Sequence, residues 1–204
     1  MLKQVHIKES PRNTTLGDAA SLNEDLIEFA LAGNADKVAE KVAAMQKALS
    51  TLRPLLDEKT FEVLTRRTAN MKETSTKNGI LGTALEAVEA YRAIENAMDA
   101  SGRTAPVEVA MLDYSGFKLS ILAAVPTVDW AMIDSTAKES DKFWSILVKN
   151  VQDKSMRNLV VSIQDGLRGA VERKEIGTVK FAAKMQLEVV DVLEQYFKNN
   201  NTIS

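Results

Sequence analysis

Apolar residues recur every three or four positions along most of this chain. The spacing is clearest in the run Val38, Val42, Met45, Leu49 and Leu52, whose opposite face carries lysines and glutamates. This is the period of an α-helix with one buried face, and no segment shows the two-residue alternation of a strand. The pattern predicts an all-α protein, an up-and-down helical bundle without β-sheet.

Glycine, proline and capping residues divide the pattern into separate helices. Gly33 and Asn34 predict a tight turn between two helices, because glycine suits the residue after a helix and asparagine caps the next one. Asp57 and Asp153 are predicted to open later helices. The predicted organisation, within one compact unit, is an irregular N-terminal strap over 1–17, a first helical half over 18–100, a linker over 101–106, a second helical half over 107–198 and a frayed tail over 199–204.

The two halves resemble each other in the order of their features. An apolar segment, a break and a capped helix follow Leu22, and the same order follows Leu112. The pattern therefore predicts a tandem duplication in which Asp36 and Asp129 occupy matching places. The alternative is that any two amphipathic helical segments of similar length can be aligned in this way.

Composition narrows the classes of function. The chain has 204 residues, is 45% hydrophobic, contains no cysteine and carries a formal net charge of -2. Its length allows a sizeable core, while its balanced charge argues against nucleic acid as a partner. No apolar run approaches the roughly 18 residues of a membrane span. We expect either a cytoplasmic protein or the mature form of an exported one, and the sequence leaves the oligomeric state open.

Catalytic and metal-binding patterns are sparse. The single histidine, His6, lies in the predicted strap and forms no Glu-x-x-His pair, as the helices of a di-iron bundle would supply. Carboxylates at helical spacing occur as Glu24 with Glu28, Glu86 with Glu89, and Glu188 with Asp191. Because these pairs lie away from the apolar stripes, we predict solvated faces, no metal site and no cofactor. No catalytic residues are predicted, which favours a non-enzymatic protein.

The large aromatic residues concentrate in the second half. Trp130 and Trp144 lie fourteen residues apart, close to four helical turns, on one side of a predicted helix over 128–150. We predict that Trp144 is buried and that Trp130, beside a break, is partly accessible. Trp130 and Tyr114 are accordingly the predicted contacts for a ligand or partner, although aromatic residues at this spacing also suit a plain core.

Three polar residues, Thr68, Ser135 and Gln186, fall on or near the apolar stripes. Burial would require each of them to find a hydrogen-bond partner. A hydroxyl or amide that bonds within its own helix would satisfy this requirement without any functional role.

The second half also carries a resemblance. The frame Leu112-Asp113, Asp129-Trp130 and Trp144, with the ending DVLEQYF over 191–197, resembles poorly characterised bacterial exported helical proteins, some of them lipid-anchored. The resemblance implies an exported mature domain and no particular site residue. The leading hypothesis is a non-enzymatic bundle that binds a protein or small molecule, for example as an accessory protein of the cell envelope. The alternative is a carboxylate bundle for metal binding or storage.

Overall fold

The computed structural model describes residues 10–77 and 79–200, and these ranges contain eight α-helices and no strand. The predicted all-α class is therefore confirmed. His6 and the tail from 201 lie outside the described residues. Within the same ranges, no helix combines the length and the apolar character needed to cross a bilayer.

The chain divides into two compact units between Asp99 and Ala100. The first unit is a four-helix bundle in which each helix packs against its neighbours in a closed ring, α1 against α2, α2 against α3, α3 against α4 and α4 against α1. Its helices are α1 (Pro11–Leu31), α2 (Ala35–Leu52), α3 (Glu58–Thr76) and α4 (Ile80–Ala97). Short connections between successive neighbours give the up-and-down arrangement that the pattern predicted.

Helix α1 begins earlier than predicted. We expected an irregular strap over 1–17, but Ser10 caps a helix that starts at Pro11, and its side chain accepts a hydrogen bond from the Asn13 amide. Proline is well suited to this first position, because the missing N–H would have had no helical partner. Asn13 then exchanges two hydrogen bonds of 2.9 Å with the backbone of Asp99. These contacts fasten the beginning of α1 to the segment that follows α4.

The second unit repeats the same ring of neighbours with four further helices. They are α5 (Val107–Ala124), α6 (Trp130–Leu147), α7 (Lys154–Glu172) and α8 (Ile176–Asn200). Helix α6 is shorter than the predicted 128–150, because the chain tightens into a 3-10 turn at Val148–Asn150. Helix α8 extends through residues 199 and 200, where we had predicted a frayed tail.

Helix starts follow the predicted capping chemistry. Asn34, Asp57, Asp129 and Asp153 each accept a hydrogen bond from the backbone N–H three residues later. Gly33 has a φ of 74°, the left-handed conformation that glycine adopts without steric cost. The predicted turn at Gly33 and Asn34 and the caps at Asp57 and Asp153 are confirmed.

Buried positions recur at fixed spacings in the two units. The pairs in α2 and α6 are 95 residues apart, at 38 and 133, 42 and 137, 45 and 140, and 52 and 147. The pairs in α3 and α7 are 96 apart, at 64 and 160, 68 and 164, and 71 and 167. The predicted match of Asp36 with Asp129 is wrong, because Asp129 caps its helix as Asn34 does, whereas Asp36 lies inside α2. Tandem duplication itself stays a prediction.

Helices α5 and α8 approach each other closely at Gly116. A Cβ atom added there would lie 2.7 Å from Cδ2 and 3.0 Å from Cγ of Leu187, and 3.6 Å from the Ala183 carbonyl oxygen. The first distance is shorter than van der Waals contact and the second is at its lower limit, so a side chain at position 116 would force the Leu187 side chain to move.

Two alanine substitutions separate this packing effect from helix propensity. Gly166 also lies inside a helix of this unit, but nothing lies within 4 Å of its added Cβ atom. We expect Gly166→Ala to raise the free energy of unfolding by about 0.5–1 kcal/mol, the usual gain when alanine replaces an unconstrained helical glycine. Gly116→Ala should lower it, because overpacking typically costs about 1–3 kcal/mol. Urea unfolding checks both values, and an equal gain in the two variants would contradict the close approach.

Candidate functional site

The two tryptophans lie in the environments that the sequence predicts. Trp144 is 6% exposed and packs in the core of the second unit with neighbours that include Leu147, Leu112 and Phe197. Trp130 is the first residue of α6 and is partly exposed. The predicted burial of Trp144 and the predicted partial exposure of Trp130 are confirmed, while contact of Trp130 with a ligand or partner stays a prediction.

Tyr114, the other predicted contact residue, is completely buried in α5. Its hydroxyl accepts a hydrogen bond of 2.7 Å from the Lys118 ammonium group, which also lies 5.2 Å from the centre of the tyrosine ring. A ligand that reached the hydroxyl would have to compete with this ammonium group. Neither Tyr114 nor Trp130 lines the cavities described below.

A hydrogen-bonded group of polar side chains lies inside the second unit. Gln186 of α8 donates through Nε2 to the Leu112 carbonyl oxygen of α5 at 2.6 Å. Its Oε1 atom accepts a hydrogen bond of 3.0 Å from the Ser140 hydroxyl of α6. Gln164 of α7 in turn donates through Nε2 to the Ser140 oxygen at 2.9 Å. We call Gln164, Ser140 and Gln186 the polar triad, and it connects all four helices of the unit.

The polar triad fixes the orientation of the Gln164 amide. Because the Gln186 Nε2 atom donates to Leu112, the Gln186 Oε1 atom faces the rest of the triad, and it lies 3.5 Å from Gln164 Nε2. The flipped amide would bring two carbonyl oxygens to this distance, and the single Ser140 hydroxyl proton could then be donated to only one of them. The Gln164 Oε1 atom therefore points away from the triad. It is buried and has no hydrogen-bond partner, although the residue is only 3% exposed.

Gln164 lines a cavity of about 280 Å³ between α6 and α7. Ala137 and Leu167, which are 7% and 1% exposed, form an apolar floor beside it, and Val171 continues this wall. The remaining lining residues are charged: Asp134, Lys138, Asp141, Arg168 and Glu172. The cavity thus has an apolar interior and a charged rim, and the residue with the unbonded oxygen, Gln164, is part of its wall. Its volume lies just under the usual range of about 300–1,000 Å³ for ligand sites, which suits a small molecule.

Ion pairs hold part of the charged rim in place. Lys138 contacts Asp134 at 2.6 Å, and Arg168 contacts Asp141 at 3.0 Å and Asp165 at 2.9 Å. The hydrogen bond and charge of Asp141, assisted by Asp165, raise the pKa of Arg168 above its ordinary value. Arg168 is therefore a permanent cation at this site.

A larger cavity of about 870 Å³ opens at one end of the same unit, beside Tyr196 and Phe197. Its polar lining includes Arg103, Lys149 and Gln152. The Gln152 amide donates to the Tyr196 hydroxyl at 2.8 Å, and the two aromatic rings meet edge to face. Among its lining residues, no buried polar side-chain atom lacks a hydrogen-bond partner. The smaller cavity is therefore the stronger candidate site.

The sequence identified only part of the polar triad. Gln186 and Thr68 are buried, as their places on apolar stripes indicated, but Ser135 is exposed, and Thr136 beside it is buried instead. Gln164 carried the same signal as Gln186, because it follows Val160 by four residues and precedes Leu167 by three. Its free oxygen could not be predicted, since that depends on partners from α6 and α8.

The carboxylate pairs remain dispersed in the structure. Glu86 forms an ion pair with Arg67 at 2.9 Å, and Glu188 and Asp191 are exposed on α8. Within residues 10–77 and 79–200, no three acidic or histidine side chains are grouped in a way that could hold a metal ion.

The environments of the two tryptophans can be compared in single-tryptophan variants. We expect acrylamide to quench Trp130 in the Trp144→Phe variant more strongly than it quenches Trp144 in the Trp130→Phe variant. The reason is that a neutral quencher must reach the indole, and only Trp130 is partly exposed. Stern–Volmer constants measure the difference, and equal constants for the two variants would contradict it.

Comparisons with known proteins assign no role to this cavity. No protein-family model matches the chain, and no curated protein or solved structure shows significant similarity to it. The resemblance of the second half to exported bacterial helical proteins therefore stays a prediction. The function has to be inferred from the geometry of the second unit.

Proposed function

We propose that this protein is a non-enzymatic helical bundle that binds a small molecule in the cavity between α6 and α7. The observation that carries the proposal is the free Oε1 atom of Gln164. A buried carbonyl oxygen without a partner costs about 1–3 kcal/mol, and a ligand that donates a hydrogen bond recovers this cost once a shift of the Gln164 side chain exposes the oxygen to the cavity. The apolar floor at Ala137 and Leu167 adds contact for a short hydrocarbon body.

The chemistry of the polar triad favours binding over catalysis. Ser140 is the only hydroxyl in the triad, and it donates to the Gln186 carbonyl oxygen. A serine nucleophile needs a neighbouring base that can take its proton, and an amide does not act as one at neutral pH. The polar triad therefore suits recognition of a hydrogen-bond donor rather than attack on a bound substrate.

We keep the bacterial cell envelope as the proposed setting of this binding function. This part of the proposal rests on the resemblance carried by Asp129, Trp130 and Trp144 and on nothing in the cavity. The metal-storage alternative has no observation in its favour among the described carboxylates, because Glu86 is engaged by Arg67 and the α8 pair lies on an exposed face.

A matched pair of probes tests whether the cavity selects a hydrogen-bond donor. 1-Butanol and 1-methoxypropane have the same atomic composition, but only the alcohol can donate a hydrogen bond. We expect 1-butanol to shift the side-chain amide resonances of Gln164 in proton–nitrogen NMR spectra and to bind more tightly than the ether. Equal binding of the two probes would contradict a site organised around a free acceptor.

Two variants locate the binding. Gln164→Met keeps the approximate volume of the side chain and removes the acceptor together with the Nε2 donor to Ser140, so we expect it to abolish the preference for the alcohol. The control is Thr68→Val in the first unit, at the buried position 96 residues earlier, where the hydroxyl is likewise without a partner. This control should leave the preference unchanged. A preference that survives in Gln164→Met would show that the alcohol binds elsewhere.

A further inference from the structure

Two large apolar side chains lie exposed on one edge of α8. Phe181 is 66% exposed and Val192 is 50% exposed, the highest values among the large apolar residues that the structure describes. They are eleven residues apart, close to three helical turns, so they point to the same side of the helix. Gln186, midway between them, points the other way into the polar triad. Helix α8 therefore presents an apolar edge to solvent along about three turns.

Charged residues form the neighbouring edge of the same helix. Lys180 directly precedes Phe181 and Asp191 directly precedes Val192, so these two charged residues are also eleven positions apart and share one side of α8. Two further charged residues lie between the edges, and all four are exposed. We call the whole surface the α8 face, and it consists of Lys180, Phe181, Lys184, Glu188, Asp191 and Val192.

The charges of the α8 face are not used within the chain. None of the four charged side chains forms a salt bridge with another residue in the described ranges. Lys184 and Glu188 are one turn apart, but lysine before glutamate is the weaker order for a pair within a helix. An anionic membrane surface attracts clusters of basic residues, whereas this face carries two charges of each sign. The face therefore suits a partner that itself carries both signs.

A second copy of α8, turned antiparallel, complements this face. A two-fold axis makes residue i of one chain contact residue j of the other, while j contacts i. The axis also keeps like edges together, so that the apolar edges meet each other and the charged edges meet each other. The midpoints of the opposed pairs fall within one residue of each other, beside residue 186, so a single axis serves all of them. The pairs across this axis are Lys180 with Asp191, Lys184 with Glu188, and Phe181 with Val192.

We infer that the α8 face is an interface between two copies of this chain, paired through antiparallel α8 helices about a two-fold axis beside residue 186. This inference does not involve the α6–α7 cavity and goes beyond the proposed binding function. One pair of helix faces buries less than the roughly 1,200–2,000 Å² of stable complexes, so we expect a reversible dimer with a Kd on the order of 10–100 μM.

Sedimentation equilibrium of the full chain, from about 1 μM to about 1 mM, tests for this dimer. We expect Phe181→Gln to raise the Kd by at least about tenfold, because the symmetric interface loses two aromatic rings. Ile146→Gln is the matched control, since Ile146 is 43% exposed on α6, outside the α8 face. It should leave the Kd unchanged. Circular dichroism should show the same helix content in both variants, because both side chains are exposed.

Charge reversals test the antiparallel pairing. Lys184→Glu alone, or Glu188→Lys alone, places like charges opposite each other twice in the dimer. Each change should weaken self-association by about 5- to 25-fold, since an exposed ion pair accounts for up to about fivefold and the axis repeats it. A mixture of the two variants restores both pairs of opposite charge, so the mixed dimer should form about as tightly as the unchanged one. Lys142→Glu, an equal charge change at an exposed position of α6, should neither weaken the dimer nor restore it when mixed with Lys184→Glu.

Three results would overturn the inference. A chain that stays monomeric to about 1 mM has no such interface, and the α8 face then serves a different protein or a membrane surface. Equal effects of Phe181→Gln and Ile146→Gln would place the dimer contact elsewhere. Failure of the two charge-reversed chains to associate with each other would refute the antiparallel pairing, because a role of these residues within one chain cannot be restored by another chain.

Discussion

The second unit depends on the hydrogen bond between the Gln186 amide and the Leu112 carbonyl oxygen. An amide inside a helical core must be bonded, because leaving its donor or acceptor unpaired costs more than a typical hydrogen bond returns. Gln186 meets this demand only if α8 lies close to α5, and Gly116 permits that approach by having no side chain in front of Leu187. Packing and hydrogen bonding therefore require the same helix spacing.

The same constraint produces the candidate site. Once Gln186 is oriented by α5, its carbonyl oxygen receives Ser140, and the Gln164 amide must turn its N–H toward them. The oxygen of Gln164 is then left without a protein donor. In the first unit, Asn23 of α1 donates to the Ala19 carbonyl oxygen of its own helix, and its own Oδ1 atom is likewise buried without a partner. Buried polar side-chain atoms without a partner thus occur in both bundles, and in the second unit one of them belongs to a residue that lines the α6–α7 cavity.

How far the sequence predicted this arrangement depends on the range of the interactions involved. Caps such as Asp57 and Asp153 act within one helical turn, so their residue types sufficed to predict them. The start of α1 was missed because Ser10 and Pro11 also suit an irregular segment, and the contacts of Asn13 with Asp99 join residues far apart in the chain. The predicted contact residue Trp130 is partly exposed, whereas Gln164 emerged only from the geometry of three packed helices. The sequence shows that a glutamine is on an apolar stripe, but not which of its atoms remains unbonded.

A double-mutant cycle on Gln186 and Ser140 tests the polar triad most directly. Each single change, Gln186→Leu or Ser140→Ala, removes one partner of a buried hydrogen bond and should lower the free energy of unfolding by about 1–3 kcal/mol. The double variant removes both partners together, so its loss should be smaller than the two single losses combined, with a coupling energy of about 0.5–3 kcal/mol. Urea unfolding of the four proteins gives this energy. Additive losses, within about 0.3–0.5 kcal/mol, would contradict the account, because independent side chains could not fix the orientation of Gln164.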